Sequence, residues 1–131
     1  MRGFGYGKRN ERGANLVEMA ILLPLLLLFL VGIADFGRAY HTYITMINAA
    51  REGARLAVEH PDDITAIQNV VHREAEGSDV DLSGANISVV SGGAGNPARV
   101  TIELDFPTFI GGFIGAPNIH IKTSSTFRVR G

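Results

Sequence analysis

Apolar and polar positions alternate along this chain with three different periods. From Leu16 to Ala34 the sequence LVEMAILLPLLLLFLVGIA is apolar around every side of a helix, interrupted only by Glu18, Pro24 and Gly32. Its length approaches the roughly 20 residues that cross a bilayer core, so it predicts a membrane-spanning helix. Pro24 lacks a backbone donor and predicts a kink or a loosened turn inside it. Past Asp35, Phe36, Tyr40, Tyr43, Ile47 and Ala50 recur at three- and four-residue steps, with Arg38, His41, Thr45 and Glu52 between them. That spacing predicts an amphipathic continuation of the same helix, from about Ala14 to about Glu59.

The distal part of this helix also carries Ala49, Ala50, Gly53, Ala54 and Ala57. Small residues on one face let another backbone approach closely, which makes Ala49, Gly53 and Ala57 candidate helix-packing residues. Two partners fit such a face: the helix of another chain, or the globular part of this one.

The third pattern begins at His60-Pro61, where the residue before proline is pushed out of the helical region. Asp62 or Asp63 then caps a second helix to about Glu76, with Ile64, Ile67, Val70 and Val71 as its apolar stripe, and Gly77 ends it. Strands are expected at Asn86–Ser91, Ala98–Phe106 and Asn118–Arg130. In the second, Val100, Ile102, Leu104 and Phe106 share one face; in the third, Ile119, Ile121, Phe127 and Val129 do, while His120, Lys122, Arg128 and Arg130 point away. GGAGNP, residues 92–97, reads as a hairpin connection, and the length of the third strand predicts a bulge near Thr123–Thr126. The apolar stretch Pro107–Pro117 (PTFIGGFIGAP) is expected to tuck under the sheet, since monomer surfaces seldom leave such a patch open; an exposed contact surface is the alternative.

The fold class is therefore α+β: a long membrane-spanning helix continuing as a stalk, then a small extracytoplasmic domain of one helix and about three antiparallel strands. Residues 1–13 read as a leader, 14–59 as the transmembrane and stalk helix, and 60–131 as the small domain. Overall charge is −1, but Arg2, Lys8, Arg9 and Arg12 precede the apolar run against Glu11 alone. A short basic head of this kind retains the N-terminus in the cytoplasm and places the chain beyond the span on the outer side. The glycine-rich, charged leader has no apolar periodicity and is expected to be disordered. Its charges serve topology and weak lipid attraction, and no nucleic-acid partner is expected.

Candidate chemistry is sparse. Without cysteine there is no disulfide, thiolate nucleophile or thiolate-bound metal, and His41, His60, His72 and His120 are too scattered to form a ligand cluster by spacing. Asp79-Val80-Asp81-Leu82-Ser83-Gly84 matches the first half of a calcium loop, but Val90 stands where a bidentate glutamate is required, so turn chemistry is the reading. GGAG at 92–95 precedes a strand and has no following lysine, unlike a phosphate cradle. There is no GxSxG elbow. Neither an enzymatic activity, a cofactor, a metal nor a small-molecule substrate is expected.

Glu18 remains. An acidic side chain at the centre of a membrane helix costs roughly 2.5 to 3.5 kcal/mol, less near its end, and such residues are functional candidates by default.

Gly13, Ala14 and Glu18 opening an apolar helix with Pro24 inside it resemble the processing site of type IV prepilins and pseudopilins. GANLVEMAILLPLLLLFLVGIADFGRAY followed by NAAREGAR (Asn48–Arg55) is similar to the TadE-like proteins of tight-adherence, or Flp-type, pilus systems. The resemblance covers roughly residues 12–57. It implies a protein of the bacterial cytoplasmic (inner) membrane that a membrane aspartyl prepilin peptidase cuts between Gly13 and Ala14. Glu18 then becomes the fifth residue of the mature chain, an assembly residue that pairs with the N-terminal amine of a neighbouring subunit. Other pseudopilins and Flp pilus assembly proteins are the implied partners. Ala14 and Asn15 stand where many pilins carry an aromatic residue, which favours a minor pseudopilin over a major fibre subunit. Two other readings compete: a single-pass anchored extracytoplasmic binding module, and a secretory signal cut ahead of Asp35, for which the apolar run is too long.

Overall fold

A computed structural model describes residues 9–93 and 96–128. The apolar run and its continuation form one helix, α1 (Arg9–Glu59), 51 residues long and so about 77 Å at 1.5 Å per residue. It starts at Arg9, ahead of the expected Ala14: once the apolar segment provides the nucleus, Arg9 to Arg12 extend the ladder with no breaker among them. The rest of the expected leader, residues 1–8, lies outside the described residues. The helix continues through Pro24.

The two halves of α1 have different surroundings. Residues 12–30 are exposed on every side. From Asp35 onward one face is buried: Thr42, Thr45, Met46, Ala49, Ala50, Gly53, Ala54, Ala57 and Val58 recur with the helical period. This face is rotated from the expected one. Phe36 is 72% exposed and Tyr40 58%, and their rings stack outside the domain with centroids 6.2 Å apart. Close backbone approach decides the rotation, because aromatic side chains on the docking face would hold the sheet away from the helix.

Helix α2 (Ile64–Glu76) starts where Asp63 accepts a hydrogen bond from the Ala66 N–H at 2.9 Å. Ile67, Val71 and Ala75 are buried, while Ile64 at the expected head of the stripe is 41% exposed. His41 Nε2 donates to the Ser78 carbonyl at 3.0 Å and ties the end of α2 to α1. Val80 and Leu82 then enter the core.

Strands β1 (Asn86–Ser91), β2 (Ala98–Pro107) and β3 (Asn118–Phe127) form an antiparallel sheet in the order β1-β2-β3. The β2–β3 register is continuous from Ala98↔Phe127 to Pro107↔Asn118, so the bulge expected near Thr123–Thr126 is not formed. The two strands are equally long, 10 residues each, and no extra residue needs accommodating. Val129 and Arg130, expected in the third strand, lie outside the described residues. Ala98, Val100, Ile102, Phe106, Ile121 and Thr123 face the helices. The outer face carries cross-strand polar pairs: Lys122 with Glu103 at 2.6 Å, His120 with Asp105 at 2.8 Å, and Arg99 with Thr126 at 3.1 Å. One wet and one covered face is the usual condition of an antiparallel sheet.

The Pro107–Pro117 stretch departs most from expectation. It contains a short helix, α3 (Phe109–Ile114), whose large side chains remain outside: Phe109 is 63% exposed, Phe113 81% and Ile114 70%. Tight capping explains the helix. Thr108 Oγ1 accepts the Gly111 N–H at 3.1 Å, Gly115 closes the end in the left-handed conformation at φ 79°, and the Thr108 N–H reaches the Pro117 carbonyl at 2.9 Å. A Cβ at Gly111 would collide with the Ala116 carbonyl and the Thr108 hydroxyl, so only glycine permits this closure.

Candidate functional site: the N-terminal helix and its junction with the domain

Gly13 and Ala14 lie within α1, exposed, and among the described residues nothing beyond the local helix backbone stands within 4 Å of where a Gly13 Cβ would be. Ala14 and Glu18 are one turn apart and share a helix face. Glu18 is exposed, and none of the ion pairs among the described residues includes it. Gly13, Ala14 and Glu18 therefore lie within two turns of one helix, and among the described residues no second element packs on them.

Ala49, Gly53 and Ala57 lie elsewhere, in the core. A Cβ on Gly53 would sit 2.6 Å from Val71 Cγ2, 3.5 Å from Val100 and 3.6 Å from Ile67. The close approach is to α2 and β2 of the same chain. In Asn48–Arg55 the inward positions are Ala49, Ala50, Gly53 and Ala54; outward, Arg55 bridges Glu52 at 2.5 Å and Glu59 at 3.3 Å. Arg55 holds the Glu52 carboxyl below its ordinary range.

Where the bare and docked halves of α1 meet, Asp35 is 4% exposed. Its Oδ2 accepts the Ile110 N–H at 2.8 Å, and its Oδ1 lies 3.4 Å from Arg38 Nη1. The Ile110 hydrogen bond is the foremost reason the Asp35 carboxyl is held below its usual range; burial opposes this, and the Phe109 N–H and Arg38 add to it. The Arg38 guanidinium also lies over the rings of Phe106 and Phe109, 5.1 and 4.7 Å from their centroids. Sequence reasoning missed this junction, since the one available signal is that Asp35 is the first charge after the apolar run.

In the Asp79–Gly84 segment, Asp79 adopts φ 56° and Asp81 Oδ1 accepts the Ser83 N–H at 2.8 Å, as in an ordinary turn. Among the described residues, no group of three or more acidic or histidine side chains is placed to hold a metal ion.

Residues 13–55 match a family model described as TadE-like protein. The chain is TadE-like over that segment. The TadE-like segment opens on Gly13, includes Glu18 and the apolar run, and closes at Arg55, leaving α2, the sheet and α3 beyond it. No curated protein and no solved structure matches the chain.

Proposed function

We propose that this chain is a membrane-anchored minor pseudopilin that takes part in assembly of a Flp, or tight-adherence, type IV pilus. It is matured by a prepilin peptidase that cuts after Gly13 on the cytoplasmic side of the inner membrane. The observation that carries this reading is the TadE-like match, which opens on the very residue the peptidase would recognise. In this role the chain is a structural subunit and not a catalyst.

The geometry supports the assignment in two ways. The small-residue face of α1 is occupied by the chain's own domain, so contact with other subunits falls to the bare apolar half and its Glu18. The Gly13–Ala14 bond is helical, and an aspartyl peptidase takes its substrate extended, so the first turns must open. Glycine lowers that cost by about 1 kcal/mol relative to alanine. Cleavage then creates a cationic amine at Ala14, the charge Glu18 needs from a neighbouring subunit.

N-terminal sequencing of the membrane-bound protein, from cells containing the peptidase, tests the reading. A terminus at Ala14 is expected. Met1 would instead indicate a simple anchored binding module, and Asp35 a secreted product.

A further inference from the structure

We propose that α3 is an interfacial membrane contact, with Phe109, Phe113 and Ile114 resting on the bilayer surface beside the end of the membrane-spanning part of α1. The proposal depends on α1 spanning a bilayer, and it adds a second point at which the domain meets lipid.

Height along α1 carries the argument. Ile110 Cδ1 lies 3.3 Å from the Cβ position of Gly32, and its N–H binds Asp35. Gly32 is inside the apolar run, about 5 Å along the axis from Asp35 at 1.5 Å per residue. α3 is therefore held within a turn of where the span leaves the hydrocarbon. Ile110 also joins Phe29, Gly32, Ile33 and Phe36 in one continuous apolar surface. Three large apolar side chains, each more than three-fifths exposed, occur on this six-residue helix. No charged residue occurs from Phe106 to Ile119, so no ionised side chain draws the segment into water.

The polar groups agree with a dry setting. Backbone groups that leave water need partners within the protein, and three N–H groups here have them: Ile110 donates to Asp35, Gly111 to Thr108, and Ala116 to the Gly111 carbonyl. Arg38, over the Phe106 and Phe109 rings with its side chain 47% exposed, is a cation placed at headgroup level, where anionic lipid phosphates lie.

The chain has no tryptophan, so single substitutions give unambiguous fluorescence reporters. Full-length Phe113→Trp, Phe29→Trp and Val90→Trp proteins are reconstituted separately into phosphatidylethanolamine/phosphatidylglycerol vesicles containing lipids brominated near the headgroup or deeper. Val90, 68% exposed on the sheet, measures any affinity of tryptophan itself for the surface. Phe113→Trp is expected to be blue-shifted, to lose most of its emission to shallow bromine and to resist aqueous acrylamide, while Val90→Trp does the reverse. If deep bromine quenches Phe29→Trp but no bromine quenches Phe113→Trp, the span is inserted and the interfacial contact is refuted. Shielding of Phe113→Trp from acrylamide without bromine quenching identifies a protein cover and also overturns the proposal. Failure of bromine to quench Phe29→Trp removes the membrane span and the contact with it.

Discussion

The carboxylate of Asp35 accepts a hydrogen bond at 2.8 Å from the backbone of Ile110, 75 residues further along the chain. The first charged residue beyond the apolar run thus clamps the segment joining β2 to β3. Ile110 beside Gly32 and the Arg38 guanidinium over Phe109 also hold α3 against the long helix. Charge is retained at the edge of the apolar helix because a backbone donor and a guanidinium both meet it.

Replacing Asp35 with alanine should release α3 while leaving the sheet intact. The Ile110 N–H loses its acceptor, so amides 109–116 should exchange faster in hydrogen-exchange mass spectrometry, with β1 and β2 unchanged. Since folding depresses this carboxyl's pKa, its contribution is fully present above the usual aspartate value and is lost as pH falls through the lower folded value. Wild-type α3 should accordingly remain protected at neutral pH and loosen only in acid. Equal protection of α3 in both proteins would mean that the clamp contributes nothing.

Gly53 and Gly13 make a controlled pair. An alanine methyl at 53 would approach Val71 Cγ2 to 2.6 Å, and the stiff valine has little room to yield. Overpacking of about 1–3 kcal/mol should outweigh the roughly 1 kcal/mol gained in helix propensity. Thermal unfolding in detergent should show Gly53→Ala destabilised and largely rescued by Val71→Ala, whereas Gly13→Ala, which meets no clash, should be at least as stable as the wild type. A Gly53→Ala protein as stable as the parent would contradict the packing account.

Local physics made part of the fold legible in the sequence. The Asp63 cap and Gly77 stop bounded α2, and two-residue alternation located β2 and the start of β3. Three features were hidden for physical reasons. Counting Phe36 and Tyr40 as core placed the buried face of α1 on its bulky side, although the sheet docks where alanine and glycine leave room. In PTFIGGFIGAP the glycines resemble a loop, yet Thr108 and Gly115 cap a helix there. The Asp35–Ile110 bond joins positions too distant for any periodicity to connect them.

Substitution at Gly13 should act on maturation without touching the fold. Open space surrounds its Cβ position, so any defect must arise at the peptidase. Gly13→Leu should accumulate at full length in the membrane fraction, read by intact mass, with the thermal unfolding of its domain unchanged. Gly13→Ala should also be blocked. A Gly13→Leu protein trimmed to Ala14 at the wild-type rate would remove the basis of the prepilin reading.

Glu18 provides the sharpest separation between anchoring and assembly. An anchor gains nothing from an exposed carboxylate in an apolar helix, and removing it should improve partition into lipid. A subunit that must find the amine of its neighbour loses its recognition charge by the same change. No ion pair among the described residues includes Glu18, and in the proposed assembly its partner is the amine of a neighbouring subunit. Glu18→Ala should therefore be cut normally at Ala14 and reach the membrane in normal amount, yet fail to support piliation, scored by sheared pili and surface adherence. Glu18→Gln, which keeps the shape without the charge, should fail as well. Undiminished piliation in both strains would show that the carboxylate has no part in assembly.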